Sequence, residues 1–154
     1  MASTVPAVKA GLRDWLRLQP GLLASDGVTV RGAAVDPNEM TYDLVVLTDV
    51  TAPQATPVMY PAIVEESATL TGYCVATRPG TGDTAEDTAR ARAYELFAVI
   101  EQALETDPTA GGVIPGPIKG RLTDTGLTEN AIDLDGGGGR QASVRWTLAW
   151  TSDY

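Results

Sequence analysis

The chain has 154 residues, 44% of them hydrophobic and 20% charged, the balance of one folded domain large enough for a real core. A net charge of −9 argues against direct nucleic-acid binding, which needs a basic face to meet phosphates. The complete absence of histidine removes histidine general bases, Ser–His and Cys–His nucleophile systems and the common zinc sites.

The single cysteine, Cys74, leaves no internal disulfide and fits a reducing compartment. No apolar run approaches membrane-spanning length, and the N-terminus lacks a basic-then-apolar secretion signal, so neither a membrane nor an export route is expected. The 16 glycines and 10 prolines point to many turns.

In chain order, Thr4 to Leu18 reads as a short amphipathic helix. Val5, Val8, Leu12, Trp15 and Leu16 share one face, Lys9, Arg13, Asp14 and Arg17 the other, and Pro20-Gly21 ends it. Val28–Arg31 is a short strand closed by Gly32, and Ala33–Met40 a loop. Tyr42–Val50 reads as a strand apolar on both sides, hence central or facing a partner. Thr51–Pro57, with two prolines, reads as a loop or an incompletely paired edge. Strands are expected from about Val58 to Glu65 and from Ala68 to Thr77. The second puts Thr69, Thr71, Tyr73, Val75 and Thr77 on one face and Leu70 and Cys74 on the other.

The strongest element runs from Asp83 to Glu105. Ala85, Ala89, Ala93, Leu96, Phe97, Ile100, Ala103 and Leu104 recur at three- and four-residue steps, one stripe of a helix. Asp83 followed by Glu86 reads as a capping box. Thr106–Pro117, with three prolines and three glycines, is a loop. Ile118–Leu122 and Leu127–Leu134 are two further strands, and Asp135 with Gly136–Gly139 a hairpin tip or mobile loop. The last strand is the cleanest: Ala142, Val144, Trp146, Leu148 and Trp150 alternate with Ser143, Arg145, Thr147 and Thr151. The fold expected is one α+β domain over residues 1–154, a mostly antiparallel sheet with a long amphipathic helix and a short N-terminal helix packed on it.

Motifs for chemistry fail on inspection. Gly80-Thr81-Gly82-Asp83-Thr84-Ala85 has the form of a dinucleotide-binding turn, yet Asp83 would set a carboxylate beside the pyrophosphate. The helix after it leads into a Pro/Gly loop rather than a second parallel strand, so a glycine turn and helix start are preferred. Asp133-x-Asp135-Gly136 resembles part of a calcium loop, but Ala131 and Ala142 stand where its first and last ligands belong. Gly136–Gly139 lacks the Lys-Ser/Thr of a phosphate loop. Cys74 reads as a buried structural thiol. The paired carboxylates Glu65-Glu66 and Glu86-Asp87 are adjacent and solvated, and the Trp146/Trp150 face is core or interface.

Taken together, the layout resembles the tail terminators, or tail-completion proteins, of long-tailed bacteriophages. The resemblance is carried by the N-terminal helix TVPAVKAGLRDWLRL, the Tyr60-Pro61-Ala62-Ile63-Val64 segment, the Leu70-Thr71-Gly72-Tyr73-Cys74-Val75 strand and the helix ARARAYELFAVIEQAL. It continues through Asp107-Pro108-Thr109-Ala110-Gly111-Gly112 and the closing strand SVRWTLAW. It implies a hexameric ring in the virion, assembled in the bacterial cytoplasm, that caps the tail tube and joins it to the head connector. It also implies no catalytic residues and no cofactor. DNA would pass the channel without specific binding, as like charges repel. The Gly/Pro-rich loops then become the candidate contacts to neighbouring subunits, tube and connector. Their residues are Thr51, Gln54 and Pro57; Thr109, Ile114 and Pro117; and Asp135, Gly137 and Arg140. The alternatives are a neck or tail-tube subunit, a nucleotide-binding enzyme using the Gly80–Ala85 turn, or a ligand-binding module.

Overall fold

A computed structural model describes residues 5–32, 42–51, 54–55, 65–114, 121–134 and 137–153. Its elements are α1 (Val5–Leu16), a 3₁₀ turn (Ala24–Asp26), β1 (Val28–Gly32), β2 (Asp43–Thr51), β3 (Gln54–Ala55), β4 (Glu65–Pro79), α2 (Asp83–Thr106), β5 (Arg121–Leu134) and β6 (Gly137–Asp153). The sheet runs β1-β2-β4-β6-β5, with β3 pairing β4 off that path. Every pairing is antiparallel except β1 with β2. This is the expected α+β architecture.

Alternation decides which face of the sheet is covered. Val45, Cys74, Val144, Trp146 and Leu148 are wholly buried, and they meet the α2 stripe of Ala89, Ala93, Leu96 and Ile100. Val8, Leu12 and Leu16 of α1 join the same core. Burying each such Leu or Ile stabilises by roughly 1.5–3 kcal/mol. Their strand neighbours point the other way: Arg145 and Ala149 are exposed, and Val46, Tyr73 and Val75 half-buried. Both helices therefore lie on one face.

The two tryptophans are core, at 0% and 2% exposure. Trp146 lies opposite Gly72 on β4, and its ring occupies the space a side chain there would need. The cost is polar: neither Trp146 Nε1 nor Trp150 Nε1 meets a hydrogen-bond partner. Cys74 is buried beside them, and burial pushes its thiol up to about 12. It stays protonated at neutral pH, as befits a packing residue.

Several expectations need correction. α2 has no side-chain cap: Gly82, at φ 91°, precedes the first helical residue Asp83. Glu86 does not reach back to close a capping box, because its carboxylate meets Arg140 on β6 at 3.3 Å. The strands expected at Ile118–Leu122 and Leu127–Leu134 are parts of one strand, β5, kinked by a bulge between Asp124 and Gly126. Gly137–Gly139 are no loop; they open β6 and pair with Leu134, Asp133 and Ile132. Of the two readings of Thr51–Pro57, the edge holds at Gln54, which belongs to the two-residue β3 paired with Glu65 and Glu66. The strand expected over Val58–Glu65 falls outside the described residues up to Glu65, where β4 begins; so do the Ala33–Met40 loop and Ile118–Gly120.

Candidate assembly surfaces

The nine candidate contact residues do not gather into one site. Thr51 ends β2 and is exposed, with Gln54 close by on β3. Gly137 and Arg140 begin β6. Gln54 is opposite Glu66 and Arg140 opposite Arg78, twelve residues apart along β4. At 3.4 Å per residue, the two groups stand about 40 Å apart, at opposite ends of the sheet. Pro57, Pro117 and Asp135 lie outside the described residues.

Thr109 and Ile114 belong to a built turn. The Asp107 carboxylate accepts the Thr109 hydroxyl at 2.6 Å, its N–H at 3.1 Å and the Gly111 N–H at 2.8 Å. Those bonds, the Thr109 hydroxyl foremost, hold the Asp107 carboxyl below the usual range. The chain turns through positive φ at Ala110, Gly111 and Gly112, and Ala110 and Ile114 are buried. Val113 packs on Gly11 and Gly111 on Trp15, so this segment anchors α1 to the end of α2. Ile114 is core; Thr109 alone of this pair presents a surface.

The start of α2 is tied down by charge. Asp43 accepts from Arg78 at 2.7 Å and from Arg92 at 2.9 Å, and Arg92 also meets Glu95 at 2.9 Å. Burial alone would raise the Asp43 carboxyl, but the two guanidinium groups outweigh it and hold it below the usual range. Arg90 binds Asp87 at 3.0 Å and Glu129 of β5. These pairs join α2 to β2, β4, β5 and β6, and Arg140 through Glu86 is one of them.

The two edges of the sheet differ in kind. At β1 the row of Lys9 and Arg13 on α1 and Arg17 in the turn after it folds down along the edge instead of facing away from the protein. Lys9 Nζ donates to the Thr48 carbonyl at 2.7 Å and Arg17 Nε to the Val30 carbonyl at 3.0 Å, while the Arg13 stem packs on Gly32. Basic side chains thus occupy sheet acceptors that would otherwise stand open. At β5, no hydrogen bond from another element reaches the outer backbone of residues 121–134 among the described residues. This strand carries Asp124, Glu129 and Asp133. The basic row was visible in the sequence as a four-residue repeat, but only its position beside β1 gives it meaning.

Two of the concavities among the described residues bear on these readings. A groove of about 590 Å³ between the ends of α1 and α2 is lined by Trp15, Pro20, Ala98, Val99 and Ala103, with Glu95 and Asp107 at its rim. A smaller one of about 390 Å³ lies among Tyr42, Gly80, Thr81, Leu134 and Gly138. The Gly80–Ala85 turn does join a strand to a helix, yet β4 lies between two antiparallel neighbours, β2 and β6. No dinucleotide-type parallel pair flanks the turn. Among the described residues no group of His, Cys, Asp and Glu side chains is arranged to hold a metal, and no helix is long and apolar enough to cross a membrane. Comparison of the sequence with models of known protein families and with curated proteins finds no match.

Proposed function

We propose that the chain is a structural subunit of a phage tail, a ring-forming terminator that caps the tail tube and joins it to the head connector, without catalysis or cofactor. The observation that supports this is the order and placement of the elements. A short helix, a strand pair, the long β4, the long α2, the Asp107–Gly112 turn and a closing β5–β6 hairpin follow one another in the order the resemblance requires. Both helices cover a single face, leaving the other face and two unlike edges for neighbours. Ion pairs tie α2 to β2, β5 and β6, and the Asp107 turn holds α1 against the end of α2.

Sedimentation and light scattering of the purified chain over a range of salt test this directly. The expected result is an oligomer near six subunits that arrests growth of tail tubes in a polymerisation assay. Subunits of −9 repel, so assembly should strengthen as salt is raised from low ionic strength, where that repulsion is least screened. A chain that is monomeric at every salt and concentration overturns the proposal. Incorporation along the tube, rather than arrest of its growth, would make it a tube subunit instead. Saturable binding of NAD or ATP, lost in Gly82→Val, would favour the nucleotide-binding alternative.

A further inference from the structure

We propose that the acidic edge of β5 seats on the basic α1 ridge of a second copy, head to tail, and that this contact propagates the ring. The inference deepens the ring assignment above and rests on it. The two surfaces lie on opposite edges of one sheet, β5 at one end of the strand order and β1 at the other. A contact between them is therefore heterologous, the kind that closes into a ring when its rotation allows.

The charges are complementary in sign. Lys9 and Arg13 on α1 and Arg17 in the turn just after it recur every four residues; Asp14 stands among them, 3.0 Å from Arg13 and 3.6 Å from Arg17, and leaves the row with a net positive charge. On β5, Asp124, Glu129 and Asp133 pair with Trp146, Ala142 and Gly138, which puts all three on the helix-side face. Glu129 is engaged by Arg90, whereas Asp124 and Asp133 are exposed on this edge. Each row also has an apolar neighbour open to solvent: Leu18, 74% exposed, after Arg17, and Leu127, 38% exposed, before Glu129.

The alternative self-contacts are poorer. Two β5 edges meeting each other would set acid against acid. Two β1 edges would set the basic rows against each other, on a strand of five residues whose Val30 carbonyl Arg17 already occupies. Only the mixed pairing sets opposite charges against each other.

Charge reversal tests it. Arg13→Glu and Asp133→Lys are made separately, checked for an unchanged thermal transition, and examined by sedimentation near 0.15 M salt, where the wild type assembles. Each variant alone is expected to be monomeric, since every contact then opposes like charges. Mixed in equal amounts they are expected to reassemble, because each reversed edge meets its reversed partner and each native edge a native one. Wild-type assembly should pass through a maximum, strengthening as salt screens the overall repulsion and weakening again as salt approaches 1 M, where screening reaches contact distances of about 3 Å. If one reversal impairs folding, Asp124→Lys or Lys9→Glu replaces it on the same edge. Variants that assemble alone like the wild type, or a mixture that stays monomeric, overturn this contact while leaving the ring intact. A wild type that never assembles overturns both.

Discussion

Gly72→Ala asks whether the centre of the sheet is as tightly built as the structure has it. Gly72 is flanked by Leu47 on β2 and Trp146 on β6. A methyl group on it would stand 2.3, 2.5 and 2.6 Å from Trp146 Cζ2, Cε2 and Cη2. Ordinary contact begins near 3.4 Å, so the indole must retreat by about 1 Å. Trp146 is fully buried, and the retreat displaces its neighbours in turn. Overpacking of this kind costs roughly 1–3 kcal/mol. The lower entropy of the unfolded alanine chain offsets about 0.4–1 kcal/mol of that. The net loss is about 1–2 kcal/mol, or a fall of roughly 3–8 °C in Tm for a chain of this size. Urea and thermal unfolding of Gly72→Ala, Trp146→Phe and the double variant measure it. Phe removes part of the clashing ring together with an N–H that has no partner, so the double variant should be more stable than the sum of the single losses implies. A Gly72→Ala protein as stable as the wild type, or strictly additive losses, would refute the packing account.

Leu96→Asp, at a wholly buried position of α2, should abolish cooperative folding because it leaves an unpaired charge in the core; a soluble variant with a sharp unfolding transition would show that the stripe is not core. Asp43→Asn removes the carboxylate between Arg78 and Arg92 and should cost about 3 kcal/mol at neutral pH by chemical denaturation. Because the folded carboxyl titrates below its unfolded value, near 3.9, its contribution is present above that pH and lost as pH falls through the folded value. The gap between variant and wild type should accordingly close in acid, and a pH-independent gap would contradict the ion pair. Cys74 should react with a thiol reagent at neutral pH only at the rate of unfolding, and complete labelling of the folded protein within minutes would contradict its burial.

What the sequence determined by itself was local. The α2 stripe and the alternation of β6 are periodic over many residues, and periodicity alone says which side faces the core. The fold class followed, since one strong helix and several alternating strands leave few ways to bury both. Absent histidine and a lone cysteine bounded the chemistry in the same direct way.

Tertiary structure decided whatever depends on a distant partner. Glu86 had the right place for a capping box, yet Arg140, far along the chain on β6, holds its carboxylate instead. Glycines 137–139 have a loop's composition, but pairing with β5 makes them strand. Ile114 sat in a Pro/Gly segment and became core because Asp107 ties the turn back and sets it against α1. The rows Lys9-Arg13-Arg17 and Asp124-Glu129-Asp133 are plain in the sequence as charges. That they border opposite edges of one sheet follows only from the strand order, because sequence separation carries no record of which strands lie outermost.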